Sequence, residues 1–315
     1  MDSGPETLAV EQVRRFLRTS STPSSAQFDG FVEQLHHRAA RPGLTERFQL
    51  ALVGIEGRTL SANELALEAA RFEQSQAAYN FRFQGFRISD AQRAEANYDL
   101  VFLSRAQRVV REGTRDVYRV AVLPKNWDRT AWLVELDTET AYPLYSGQYS
   151  LDANRVCCLQ SELVVRSFRP GVVIPANFSW WEAATGIEVV DSAEAALQAV
   201  LVSGSFVLPA AEDLLPGFAG FRFEVQTDPY GGERSAVLAY SDGIDHVFLR
   251  QQDASATSPE DGDTIAYLKR RCETICQFSH GGVDYLVRGR VGGGRGDWDE
   301  VQFISARIMA RAVGR

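Results

Sequence analysis

Leu215-Pro216-Gly217-Phe218 opens the stretch that decides the fold, and Phe221-Arg222-Phe223-Glu224-Val225 continues it as a strand. After a loop come Val237-Leu238-Ala239-Tyr240, the turn Ser241-Asp242-Gly243, and a second apolar run over residues 244–249. Asp-Gly between two apolar runs predicts a hairpin, because a tight turn needs positive φ and glycine adopts it without a Cβ clash. Pro216 presets φ and Gly217 permits a bend, so the chain turns just before that hairpin. Nothing in the stretch sets a nucleophile beside a base. It reads as architecture, not chemistry.

Downstream, residues 251–262 are polar and acidic with Pro259 and read as an exposed loop. Asp263 then caps an expected helix through Ile265, Leu268, Cys272 and Cys276, ended by Gly281-Gly282. A strand is expected over 285–291, a flexible glycine loop over 292–297, and a last helix over 300–312 with Val301, Ile304, Ile308 and Ala312 on one face.

Upstream, Ser192 can cap an alanine-rich helix over 193–202, and Pro170 and Pro175 mark a joining segment over 169–180. Before it lies a run of strand candidates, 98–103, 107–111, 117–123, 131–136 and 157–168, without helical interruption. Short turns between consecutive runs make an antiparallel meander the natural arrangement. A curved sheet needs its concave face covered. Ser61, followed three positions later by Glu64, predicts a covering helix over 61–78. Phe81 and Phe83 alternate as in a strand, and Gly85 marks a phase slip of the kind a β-bulge makes. Residues 1–58 read as helical and separable: Val10, Val13, Phe16 and Leu17 share one helical face, and Phe28, Phe31, Val32 and Leu35 another.

Two segments carry a family resemblance. Leu215-Pro216-Gly217-Phe218, followed by Tyr240-Ser241-Asp242-Gly243-Ile244, resembles the C-terminal domain of RseB/MucB proteins. The run from Trp132 through Asp137, Thr140, Pro143 and Leu144 resembles the "strand, D-x-x-T-x-x-P-L" hairpin of the half-barrel shared by LolA, LolB and the RseB N-terminal domain. Ala141 departs from the glycine usual there. The resemblance implies an α+β fold of two antiparallel-sheet domains, with a helix-covered, LolA-like half-barrel over 59–172 and a smaller sheet with helices over 173–315. The helical segment 1–58 would precede both. It further implies a periplasmic regulator that binds the extracytoplasmic segment of an anti-sigma factor in envelope-stress control, with lipid or lipopolysaccharide as a releasing ligand.

Composition bounds these readings. The chain has 315 residues, 45% apolar and 23% charged, as a foldable two-domain protein should. A net charge of −8 argues against general nucleic-acid binding, which needs a cationic surface. Lysine occurs only at Lys125 and Lys269, so the cations are almost all arginine. No run of about 18 apolar residues is present to span a membrane. Residues 1–6 lack the basic and apolar regions of a signal peptide. Either a leader or anchor has been removed, or the protein works in the cytoplasm. Cys157, Cys158, Cys272 and Cys276 are compatible with disulfides in an oxidising compartment or with buried thiols; CC plus CxxxC is not a familiar zinc spacing.

No G-x-S-x-G elbow, HExxH or P-loop occurs, and His36, His37, His246 and His280 are the only histidines. His246 alternates with Ile244 and Phe248 and reads as a half-buried strand residue. The expectation is a noncatalytic protein without a cofactor or metal. The alternatives are a lipid or lipoprotein carrier and an envelope-assembly scaffold docked through residues 1–58. For a lipid-holding cavity the candidate lining is Phe81, Phe83, Phe102, Val120, Val122, Trp132 and Val134.

Overall fold

A computed structural model describes residues 28–37, 45–55, 58–61, 86, 88, 90–126, 129–140, 142–151, 157–170, 187–202, 206–227, 232–254, 266–270, 273–289 and 300–314. The chain divides into two compact units, Met1–Phe178 and Ser179–Arg315.

The first unit is built on an eight-stranded antiparallel sheet. Its strands are β1 (Phe28–His37), β2 (Thr45–Ile55), β3 (Arg58–Ser61), β4 (Tyr98–Val110), β5 (Gly113–Pro124), β6 (Ala131–Asp137), β7 (Pro143–Leu151) and β8 (Cys157–Pro170), in the order β3-β2-β1-β8-β7-β6-β5-β4. A short helix, α1 (Ala91–Asn97), leads into β4. Asp90 caps it by accepting from the Arg93 N–H at 2.9 Å, which satisfies one of the donors a helix start leaves open. The sheet curls strongly. At the β4–β5 turn the Arg111 N–H donates to the Arg166 carbonyl of β8 at 2.8 Å, although three strands separate β4 from β8 in the sheet order. Glu112 fastens the same corner by accepting from the Phe168 N–H at 2.8 Å and from the Ser167 hydroxyl. The result is a curved sheet of the expected half-barrel kind, with strands from residues 28–61 added to those expected over 59–172.

The expectation of a helical, separable residue 1–58 segment is corrected where it can be compared. Phe28, Phe31, Val32 and Leu35 lie on β1, which pairs with β2 on one side and β8 on the other, so this stretch is a central strand of the sheet. Helical spacing lost to two hydrogen-bonded ladders, since tertiary pairing outweighs local propensity. Ser61, expected to cap a helix, ends β3 opposite Leu52. Residues 62–78 of the expected covering helix lie outside the described residues, as do Phe81, Phe83 and Gly85. The separate candidates 98–103 and 107–111 are one strand, β4, interrupted by a register shift between Phe102 and Ser104. Pro143 and Leu144, read as the end of a hairpin, begin β7.

The second unit carries a seven-stranded antiparallel sheet, β13-β14-β15-β12-β11-β10-β9. Its strands are β9 (Ile187–Val190), β10 (Ala219–Thr227), β11 (Arg234–Ser241), β12 (His246–Asp253), β13 (Ala266–Arg270), β14 (Glu273–His280) and β15 (Val283–Gly289). Two helices, α2 (Ala193–Val200) and α3 (Glu300–Val313), bury their apolar stripes with this sheet in one core. Ser192 caps α2 through the Ala195 N–H at 3.0 Å, as its sequence predicts. On α3, Val301, Ile304, Ile308 and Ala312 are all buried. They join Leu238, Leu249, Phe278 and Tyr285 in that core, and the Phe278 and Tyr285 rings stack at 4.7 Å. Gly289 belongs here for a steric reason. A Cβ at that position would come within 2.9 Å of the His246 carbonyl and 3.2 Å of a Val301 methyl, so a larger residue would push α3 off the sheet.

The expected helix through Leu268, Cys272 and Cys276 is corrected where it is described: Leu268 lies on β13 and Cys276 on β14, two paired antiparallel strands, while Asp263, Ile265 and Cys272 lie outside the described residues. Thr274, Cys276 and Phe278 alternate inward, which is a period of two. Gly281 and Gly282, at φ of 60° and 77°, make the tight β14–β15 turn and end no helix. Gln251 was read as part of an exposed loop but is fully buried on β12.

Candidate functional site

Two regions hold the residues singled out in the sequence, and each lies within one unit. The first is a face of the β4–β6 sheet. Register pairs Phe102 with Val120, Val120 with Val134, and Val122 with Trp132, so these five predicted lining residues project from one face. Paired residues in an antiparallel ladder share a face, which makes the assignment independent of side-chain detail. Val120, Val122, Trp132 and Val134 are buried, while Phe102 is half-buried and meets the Tyr118 ring edge-on at 6.1 Å.

Polar groups interrupt the apolar surface. Gln148 pairs with Trp132 and Ser146 with Val134, placing both on the same face. Gln148 reaches Thr130 at 3.5 Å, and Ser146 accepts from the Phe86 N–H at 3.3 Å. Phe86 also meets the Trp132 ring edge-on at 5.9 Å. The Trp132 indole Nε1–H is buried and has no acceptor among the described residues. A buried donor left without a partner is uncommon and costly. Sequence reading found the apolar residues; it missed Ser146, Gln148 and the indole N–H, because only cross-strand register brings them beside Val134 and Trp132.

The opposite face carries ion pairs. Glu135 accepts from Arg119 at 2.7 and 3.0 Å and from Arg108. Asp137 accepts from Arg115 at 2.8 and 2.9 Å and from the Thr140 hydroxyl at 2.7 Å. Burial works to raise both carboxyls, but these hydrogen bonds outweigh it and hold each below its usual value. The Asp137–Thr140 contact is the D-x-x-T of the family-like hairpin. Its work is to close the β6–β7 connection, where Asp137 Oδ2 also accepts from the Thr140 N–H at 2.9 Å.

The second region is the Leu215–Gly243 motif, whose backbone makes a tight turn and then a hydrogen-bonded loop. Gly217 has φ of 83° and the Phe218 N–H returns to the Leu215 carbonyl at 3.1 Å. That is a type II turn with proline and glycine in their favoured positions. Leu215 and Phe218 are buried in the helix–sheet core. Tyr240 lies in the same core, and burial pushes its phenol up in pKa. The Asp-Gly turn is a four-residue loop, wider than a two-residue hairpin. Asp242 Oδ1 accepts from the Ile244 and Asp245 N–H groups at 3.0 and 2.9 Å, Ser241 Oγ accepts from the Gly243 N–H at 2.9 Å, and Gly243 has φ of 110°. His246 is buried between the rings of Phe221, at 5.1 Å, and Phe248, at 6.2 Å.

Among the described residues no three His, Cys, Asp or Glu side chains converge as a metal-binding group, and no helix is long and apolar enough to cross a membrane. No protein-family model matches the sequence, and no characterised protein matches it either. Solved structures do match. The crystal structure of MucB aligns over 98% of both chains with a TM-score of 0.50 at 16% identity. MucB in complex with MucA(peri) aligns over 94% of this chain and 97% of that one, with a TM-score of 0.49 at 16% identity. The Pseudomonas aeruginosa MucA/MucB complex covers 90% and 93%, with a TM-score of 0.47 at 17% identity. Identity this low speaks to architecture alone, and this chain's architecture is that of two antiparallel sheets with helices. The fold this protein adopts is RseB/MucB-like.

Proposed function

We propose that this chain is a noncatalytic regulatory protein that binds the extracytoplasmic segment of an anti-sigma factor, outside the cytoplasm. The observation that carries the reading is the match to the MucB fold over 98% of the chain, together with the Leu215–Phe218 and Tyr240–Gly243 segments that resemble the RseB/MucB C-terminal domain. Proteins of that resemblance shield an anti-sigma segment and release it when an envelope signal arrives. The test is capture of extracytoplasmic anti-sigma segments by the full chain. Retention of a segment that protects it from proteolysis is expected; failure across plausible segments removes the reading.

We infer in addition that the Val120–Trp132 face receives the apolar part of a lipid ligand. One observation favours this: the Trp132 N–H is buried beside apolar residues without an acceptor among the described residues, and a ligand carbonyl or phosphate oxygen would supply one. Native mass spectrometry tests it. A copurified lipid that is lost when Val120 or Val134 is replaced by a charged residue supports the reading, and a protein that never carries or takes up lipid refutes it.

A further inference from the structure

β4 is the last strand in the order of the first sheet, so one of its flanks has no strand beside it among the described residues. An edge strand points every second N–H and C=O outward, and those groups template another extended chain. The two ends of β4 differ. Near Val110 the flank is closed, because the sheet curls until Arg111 bonds to Arg166. Toward Tyr98 no described strand lies beside it.

Side chains along this part are mixed: Asp99 pairs with Lys125 at 3.8 Å, and exposed apolar residues follow it. Val101 is 39% exposed, Leu103 50%, and Leu123 of the adjoining strand 43%. Val101 pairs with Ala121 and Asp99 with Leu123, which sets Val101 and Leu123 side by side on one face. Protected edges use bulges and charges to turn partners away. The bulge here leaves Leu103 as the extra residue, so it presents a leucine to solvent. Next along the strand, Arg105 lies over the Tyr118 ring at 5.4 Å and has no carboxylate partner among the described residues.

We propose that the Tyr98–Arg105 flank of β4 is a docking edge for an extended acidic–apolar peptide segment, which adds to the sheet as a further strand. Main-chain hydrogen bonds would hold on the order of five or six residues, a common strand length. Apolar side chains would cover Val101 and Leu103, and a carboxylate would meet Arg105. A second copy of β4 fits less well. Antiparallel self-pairing about Phe102 would set Asp99 against Arg105. Asp99, however, shares a face with Leu123 and Arg105 with Tyr118, and the bulge puts those on opposite faces. The proposal deepens the binding function by naming how a segment is held, and rests on that function only for the segment's identity.

The experiment uses the full chain and two short capped peptides, one alternating valine with glutamate and one alternating valine with lysine. Expected results are slowed amide exchange over residues 98–105 with the valine–glutamate peptide and about tenfold weaker binding of the valine–lysine peptide. Leu103→Lys should also bind the valine–glutamate peptide about tenfold more weakly, since it puts a hydrated charge where the apolar contact forms. Val202→Lys, at an apolar position of the second unit that is 92% exposed, should bind as the wild type does. Absence of protection over 98–105, equal binding of the two peptides, or unchanged binding by Leu103→Lys overturns the proposal. Protection that grows with protein concentration and no peptide overturns it in favour of self-pairing. Anti-sigma capture that persists while these peptide results fail would leave the binding function standing without this edge.

Discussion

Replacing Glu135 with glutamine tests whether the charged face of the first sheet is structural. The Glu135 side chain is 5% exposed and takes hydrogen bonds from Arg108 on β4 and Arg119 on β5, so a single carboxylate on β6 ties three strands together. Removing one partner of a fully buried pair costs roughly 3–5 kcal/mol. The arginines are 21% and 42% exposed, so their freed heads reach water and the penalty shrinks. Glutamine also keeps the volume and one acceptor. About 2 kcal/mol is therefore expected at neutral pH. The assay is amide exchange over β5 and β6, which reports opening of this sheet; two units make one global unfolding free energy ill-defined. The pH dependence sharpens the test. The Glu135 carboxyl is held below its ordinary value of 4.5, so its contribution is complete above that value and is lost as pH falls through the lowered folded-state value. The gap between wild type and Glu135→Gln should be constant at neutral pH, shrink below about pH 4.5, and vanish once the wild-type carboxyl is protonated. A gap under about 0.5 kcal/mol at pH 7, or one that widens on acidification, would refute the reasoning.

Other substitutions probe the remaining parts. Asp242→Ala strips the acceptor from the Ile244 and Asp245 N–H groups and should destabilise the β11–β12 hairpin by about 2 kcal/mol in amide exchange, while Asp242→Asn, which keeps the oxygen, should cost less than about 1 kcal/mol. Gln251→Leu orphans both the N–H and the C=O of Val207, which Gln251 now engages at 3.0 and 2.6 Å; a loss of about 2–4 kcal/mol by denaturant titration of the second unit is expected. Ile304→Ala opens a cavity under α3 and should cost about 2–5 kcal/mol, whereas Phe303→Ala, at a residue 42% exposed with the Arg307 head over its ring at 4.0 Å, should cost at most about 1 kcal/mol. Trp132→Phe removes the unpartnered N–H with little change in stability, and native mass spectra should then show less retained lipid.

The parts of the fold legible in sequence were those whose signal is local. Val301, Ile304, Ile308 and Ala312 recur at the helical period over an uninterrupted stretch, and Ser192 sits one residue before its helix. Pro216-Gly217 and Asp242-Gly243 demand bends that few other residues adopt, and both bends are present. Phe28, Phe31, Val32 and Leu35 misled because their spacing fits a helix, while the ladders that make them a strand come from residues 45–55 and 157–170. Phe48, Leu50 and Leu52 alternate on β2 and offered a period-two signal nearby. Leu268, Cys272 and Cys276 misled in the same way, against the inward alternation of Thr274, Cys276 and Phe278. At the candidate site, the valines were legible through alternation. The Trp132 donor and the Arg–Glu–Arg tie were not, because each depends on the register of β4, β5, β6 and β7, which no local pattern encodes.

A regulator that lets go of its partner on a signal must bind the signal molecule and the partner with opposed preferences, since a ligand shifts an equilibrium only by its differential affinity for the two states. The most direct measurement is calorimetric titration of the full chain with an extracytoplasmic anti-sigma segment, alone and in the presence of lipopolysaccharide. Binding that is clear without the lipid and at least about tenfold weaker with it is the predicted result. The same affinity under both conditions, or no binding under either, would contradict it.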